Sequence, residues 1–547
     1  MSQEVVEVKD GPGAPTASRD EPLVYASARG KWVLTATVLG SGLAQLDGTV
    51  VNVALPRIGE DLGGGLTSLQ WTLNAYTLTL SGLLLLGGSL GDRLGRRRMF
   101  VLGVLWFTIA SVGCALAPST ALLIGMRALQ GAGAALLTPG SLAILQASFR
   151  KDDRSTAVGA WSGLGGVATA IGPIVGGLLV GVAPWGWRLV FLINLPLAAV
   201  VIFLSNRYIP ESRDPDATGK LDVSGAILAS VGLGGVIYGL TEGPASGWST
   251  INVLILVLGS LLLVAFVVLE GRKPDPLLPL GLFKEREFTA ANIVTFAVYA
   301  ALAGALFLLP VQLQVVAGFS PVEAGAATLP ITVMMLLFSA RMGRLSARIG
   351  PRLPMTVGPI IAGAAMIWLT RVGAGSTYLG DVVAPMILFG LGLSFTVAPL
   401  TSTVLSSAPD HQAGIASAIN NDVARVAGLL AVAVLPPLAG ITPESYANPA
   451  LLSGGFSRAA LIAGILCAAG GLIAFLTIRN PLTGSGSATK GAPGGPGDVG
   501  SADSTPVGAR SPGAATSTGS GAGAGEPADP GLGCAACPVL APHIRPR

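Results

Sequence analysis

The stretch SLQWTLNAYTLTLSGLLLLGGSLGDRLGRRRMFVLGVLWFTIASVGCALA (68–117) carries the deciding pattern. Two long apolar runs are separated by a short loop holding Arg93, Arg96, Arg97 and Arg98. About 20 apolar residues, coiled as a helix, cross about 30 Å of hydrocarbon. Outward from this stretch, comparable runs fall near 32–54, 68–91, 100–117, 121–144, 156–182, 188–205, 222–241, 250–270, 289–312, 322–340, 353–371, 381–405, 413–440 and 458–478. These predict fourteen membrane helices and an all-α polytopic protein. Composition agrees. Charged residues make up 11% of the chain, where a soluble domain carries about 25%. Too little charge exists to cover a water-facing surface.

Loops after the second, fourth, sixth, eighth and tenth runs hold eighteen Lys and Arg residues; those after odd-numbered runs hold four, Arg57, Arg188, Arg371 and Arg458. Cytoplasmic loops carry the excess of basic residues, so both termini are expected in the cytoplasm, with the chain in the cytoplasmic membrane. Residues 1–28 are polar, lack the apolar core of a cleaved signal and are expected as a disordered tail. Residues 481–547, rich in Gly, Ser, Ala and Pro, are expected as another. The loop GSLGDRLGRRRMF (88–100) has an echo in ARMGRLSARIGPRL (340–353). Duplicated units build many transporters. The expected organisation is a six-helix bundle at 29–206, two linking helices within 207–288 and a second six-helix bundle at 289–480.

The chemistry excludes several classes. No G-x-x-x-x-G-K-[ST] phosphate loop and no G-x-S-x-G elbow occurs, and the only histidines are His411 and His543. An enzyme is therefore not expected, nor a cofactor or metal. Active transport would draw on an ion gradient. No basic patch interleaved with aromatics supports nucleic-acid binding. The four cysteines give no disulfide framework, and the Cys534-x-x-Cys537 pair has no companion ligands.

Ionisable groups within apolar runs are costly and mark functional positions. Asp47 lies about 22 Å up the first run and Arg127 about 21 Å up the fourth, at 1.5 Å per residue. Level opposite charges suggest an ion pair, either a proton-sensitive element or a static structural one. Asp422 and Arg425, three apart on one helix face, suit either a self-neutralising pair or substrate contact. Glu323 and Glu242 read as surface or interfacial carboxylates. Glycines at four-residue spacing in the fifth run (Gly159/Gly163, Gly172/Gly176, Gly177/Gly181), with Pro173 among them, suit close helix packing or a hinge. Asp92 and the arginines after it suit either a topogenic loop or a conformational latch.

These residues resemble the major facilitator superfamily, in particular its fourteen-span drug:proton antiporters. Gly88-Ser89-Leu90-Gly91-Asp92-Arg93-Leu94-Gly95-Arg96-Arg97 resembles the loop signature of the superfamily. Arg127-Ala128-Leu129-Gln130-Gly131-Ala132-Gly133 resembles its fourth-span motif. Gly163 through Gly177, including Gly165, Gly172, Pro173, Gly176 and Gly177, is similar to the antiporter motif of exporters. Leu46 through Pro56 and Trp187 through Pro196 resemble stretches of the fourteen-span branch. The resemblance implies a proton-driven exporter of a hydrophobic or cationic drug, monomeric, with Asp47 and Arg127 coupling protons and the 88–97 loop latching a conformation. Trp71, Asn74, Tyr76, Gln312, Asn420, Asp422 and Arg425 are candidate cavity residues. Two features depart from the pattern: Asp422 stands where an uncharged residue is expected, and the 340–353 loop lacks a counterpart of Asp92. A nutrient importer and a non-transporting membrane scaffold are the rival readings.

Overall fold

The computed structural model describes residues 22–214, 222–273, 276–409, 412–446 and 448–480. Most of the N-terminal tail, all of 481–547, His411, His543 and the Cys534/Cys537 pair lie outside the described residues. Among the described residues fourteen helices are long and apolar enough to cross a membrane: α1 (Ala28–Leu62), α2 (Leu66–Leu94), α3 (Arg96–Ala115), α4 (Thr120–Ser148), α5 (Lys151–Gly181), α6 (Gly186–Tyr208), α7 (Val223–Ser246), α8 (Thr250–Glu270), α9 (Arg286–Val316), α10 (Pro321–Ile349), α11 (Arg352–Arg371), α12 (Tyr378–Ser406), α13 (Gly414–Leu438) and α14 (Pro449–Thr477). Among the described residues there is no strand, only an isolated bridge between Leu23 and Phe149.

Helix limits follow local chemistry. Ser27 and Ser119 accept the backbone N–H groups of Gly30 and Leu122, capping α1 and α4, and Gly63 stops α1 in the left-handed region at φ +66°. The last helix begins nine residues before the expected 458. Asn448 caps it by accepting the N–H groups of Ala450 and Leu451, with Pro449 at the first helical position. Arg458 therefore sits inside α14, not in a loop. Arg341, Arg344 and Arg348 likewise belong to the end of α10.

The packing repeats at an offset of eight helices. In the first six, α1 packs on α4, α5 and α6, α2 on α4, and α3 on α4 and α6; in the last six, α9 packs on α12, α13 and α14, α10 on α12, and α11 on α12 and α14. Lipid tails are as apolar as leucine, so close backbone approach between small residues drives such association. The closest approaches recur too. A methyl on Gly133 of α4 would lie 2.6 Å from the Phe107 nitrogen of α3, and one on Gly392 of α12 would lie 2.6 Å from the Ala362 nitrogen of α11. Helices α7 and α8 pack on each other, and α7 lies against α2 and α13.

The two sets of six meet at the helix ends remote from the Arg-rich turns. Gln70 of α2 donates to the Val432 carbonyl of α13 at 2.6 Å, and Gln314 of α9 donates to the Val53 carbonyl of α1 at 3.0 Å. Between α5 and α10, a methyl on Gly325 would lie 2.1 Å from the Pro173 carbonyl oxygen, and one on Gly177 would lie 2.5 Å from that of Pro321. Nearer the Arg-rich turns the small-residue face of α5 is uncovered: Gly159, Gly163 and Gly166 have open space where a side chain would be. The expectation of close packing at Gly159/Gly163 is corrected accordingly.

Candidate functional site

Asp47 and Arg127 are both fully buried, and α1 and α4 bring them into direct contact, Arg127 Nη1 donating to Asp47 Oδ2. Two buried charges persist only where further hydrogen bonds satisfy them. Gln130, one turn along α4 from Arg127, supplies two: its Nε2 donates to Asp47 Oδ1 at 2.8 Å, and its Oε1 accepts from Arg127 Nη1 at 2.6 Å. Asn194 of α6 donates to Asp47 Oδ1 at 3.2 Å, and Ser111 of α3 accepts from both Gln130 and Asn194. Arg127 Nε donates to the Thr72 carbonyl of α2 at 3.0 Å. The guanidinium carbon lies 4.2 Å from the centre of the Tyr76 ring, a cation–π contact. Tyr76 is fixed in turn by donating to the Ala44 carbonyl at 3.0 Å. Residues of five helices thus join one network around the Asp47 carboxylate. Arg127 Nη2 is left buried without a partner, a donor free to follow any change in the charge of Asp47.

Beside this pair lies a central cavity of about 260 Å³ bounded by α1, α2, α9 and α13. Gly48 and Asn52, next to Asp47 along α1, line it together with Tyr299, Asn74 and Arg425. The Asn74 amide nitrogen is buried with no hydrogen-bond partner.

Of the residues expected to line a cavity, Asn74 and Arg425 do so here. The other five lie away from this cavity, four of them held by hydrogen bonds or ring contacts. Trp71 donates to Glu242 of α7 at 2.8 Å. Tyr76 packs on Arg127, as above. Gln312 donates to the Val372 carbonyl and to Ser453, behind the cavity wall. Asn420 donates to Asn292 and Thr295 of α9. Asp422 lines a different cavity, and among the described residues it forms no ion pair with Arg425; the two point into separate spaces. Helix rotation, which spacing alone does not fix, accounts for all five. Ser111 and Asn194 were not singled out from the sequence, although an Asn within an apolar run is a visible signal of a buried partner.

The Arg-rich turn between α2 and α3 is stitched in place. Arg96 pairs with Asp92 at 2.8 Å, while Arg97 and Arg98 approach Glu211 at 3.7 and 3.9 Å. Glu211 Oε1 accepts the Arg97 backbone N–H at 3.1 Å, and Arg97 Nη1 donates to the Ile209 carbonyl. Gly95 has φ +119°, and a methyl on it would lie 2.7 Å from Glu211 Oε1, so only glycine fits. Gly88 packs loosely on Pro139, and Arg93 also has a partner. In α5, Gly165, Gly172 and Gly176 pack on Gln45, Thr49 and Val50 of α1, with Pro173 one residue from the closest approach.

Repeated six-helix packing around a central cavity, with a charge pair sealed beside it, is the build of a secondary transporter. The comparisons give the family. The Major Facilitator Superfamily model matches residues 37–432, and the chain belongs to that superfamily. It is 34% identical over 460 residues to the tetracenomycin C resistance and export protein of Streptomyces glaucescens, covering 82% of this chain and 85% of that protein. It is 37% identical over 439 residues to the puromycin resistance protein of Streptomyces alboniger, covering 79% and 86%. Among solved structures it resembles a bacterial homologue of the human lysosomal transporter Spinster at TM-score 0.61 and 19% identity, covering 83% of this chain and 97% of that one. That likeness concerns the fold.

Proposed function

We propose that the chain exports a hydrophobic or cationic small molecule, antibiotics included, across the cytoplasmic membrane in exchange for protons, and so confers resistance. The observation that carries the proton coupling is the sealed Asp47–Arg127 pair, one residue away from the central cavity along α1. Protonation of Asp47 removes the charge that Arg127 Nη1 meets. Arg127 then keeps Thr72, Gln130 and the rings of Tyr76 and Phe191, and α1, α2 and α4 are released from a shared tie. The relatives named for resistance and export support the direction of transport.

In this reading residues 29–206 and 289–480 act as two bundles that rock about the cavity. The Arg-rich turns and both termini face the cytoplasm, and the described conformation is open towards that side. The Asp92–Arg97 turn, held by Glu211, ties α2 and α3 to the segment after α6 and steadies that state. The chain works as a monomer without a cofactor, powered by the proton gradient. The test is export of ethidium and puromycin from cells expressing the chain, with and without a protonophore. Export that collapses with the gradient is expected; export that persists would remove the proton from the mechanism.

A further inference from the structure

A second cavity, of about 370 Å³, lies apart from the central one, between α2, α7, α8, α9, α13 and the segment entering α9. Its volume falls in the range of small-molecule sites, about 300–1,000 Å³. Its wall is apolar, with the rings of Phe266, Phe283 and Phe296 among the lining. Only two lining side chains are polar, Ser81 of α2 and Asp422 of α13. Ser81 Oγ and Asp422 Oδ1 are both buried without a hydrogen-bond partner. Buried polar atoms are nearly always paired, and two orphans facing one apolar space call for the same missing donor. Arg425, the cation closest along α13, faces the central cavity and forms no ion pair with Asp422. Asp422 Oδ1 therefore has no directly contacting cation or hydrogen-bond donor among the described residues.

We propose that this cavity is a second ligand site. It takes an amphipathic protonated amine, the ammonium held between Asp422 Oδ1 and Ser81 Oγ and the apolar body laid against the three phenylalanines. Each ammonium N–H supplies a donor that the orphan oxygens lack, and aromatic faces attract a cation besides burying its body. The site joins α7 and α8 to α2 and α13, giving the two linking helices a recognition surface of their own. The proposal does not rest on export, because occupancy is read at equilibrium with no gradient.

The test uses the full-length purified chain in lipid nanodiscs and monodansylcadaverine, a dansyl probe with one primary ammonium, followed by its fluorescence. Its N-acetylated derivative, the same body without the charge, should bind at least tenfold more weakly. Asp422→Asn should weaken binding of the amine at least tenfold, and Asp422→Glu should return it to within about threefold of the original. Ser81→Ala should cost severalfold. Ala229→Phe, which fills the cavity, should abolish binding of both probes. Asp422→Asn that binds the amine unchanged would overturn the proposal. So would an Asp422→Glu protein as weak as Asp422→Asn, since the carboxylate would not be the counter-ion. Binding that survives Ala229→Phe would place the amine elsewhere, and equal binding of the acetylated probe would mark the cavity as a greasy niche suited to a lipid tail.

Discussion

The first six helices and the last six pack in the same pairs, yet their interiors differ in kind. Around α1 the interior closes on a carboxylate and a guanidinium. In the second half the α9–α13 contact, which corresponds to α1 with α5, closes on neutral groups, with Asn420 bonded to Asn292 and Thr295. The Arg-rich turns differ in the same sense. Glu211 accepts the Arg97 backbone N–H beside Gly95; after α14, Asn480 accepts the Arg352 backbone N–H at 3.2 Å beside Gly350, which has φ +87°. The stitching is common to both halves, and among the described residues the fully buried ion pair belongs to the first. A repeated scaffold can thus carry a sealed ion pair in one half and a neutral hydrogen-bonded cluster in the other.

The contrast breaks most plainly at Arg127. Arg127→Met leaves Asp47 buried without its cation and should cost about 3–5 kcal/mol, read as a lowered unfolding temperature in detergent. Adding Asp47→Asn to it should recover most of the loss. Thr295→Val in the neutral α9–α13 cluster should cost only about 1 kcal/mol; equal losses in the two halves would erase the distinction.

Next in size is the contact between α5 and α10. Gly325→Val drives a side chain into the Pro173 carbonyl. Overpacking of about 1–3 kcal/mol shifts a two-state balance by about 5- to 150-fold, so ethidium export should fall with expression unchanged. Gly163→Val, in open space on the same helix, should have little effect in this conformation.

The turns give a smaller effect. Glu211→Gln converts the first turn to the neutral form of the second, and because Arg98 and Glu211 are partly exposed the loss should stay below about 1 kcal/mol.

The smallest effect concerns the ends of α7 and α8, outside both halves. Lys273 bridges Asp222 at 2.5 Å and Glu270 at 2.7 Å. Burial works to raise the Asp222 carboxyl, but hydrogen bonds from Lys273, Gly225 and Ser224 outweigh it and hold the group below its ordinary value of 3.8. A carboxylate lowered on folding stabilises fully above its unfolded value, and that share is lost as pH falls through the lowered one. Unfolding temperature should therefore drop on acidification below about pH 4, and Lys273→Met should flatten that part of the profile.

The sequence carried much of this. Fourteen apolar runs gave the fourteen helices, because length and hydropathy alone decide what spans hydrocarbon. The depth of Asp47 and Arg127 anticipated their contact, because helical rise is constant and both runs cross the same slab. Which way a helix turns about its axis is set by packing across the bundle. Trp71, Gln312, Asn420 and Asp422 accordingly landed away from the central cavity, and Glu211, an ordinary loop carboxylate in the sequence, became the clamp on Gly95.

The central claim is that Asp47 carries the proton that drives transport. The direct measurement uses proteoliposomes and ethidium, in two modes, with the original chain and Asp47→Asn. The account predicts that Asp47→Asn still exchanges ethidium for ethidium across the bilayer, while an imposed pH gradient no longer drives its accumulation. Gradient-driven accumulation that persists in Asp47→Asn would contradict it.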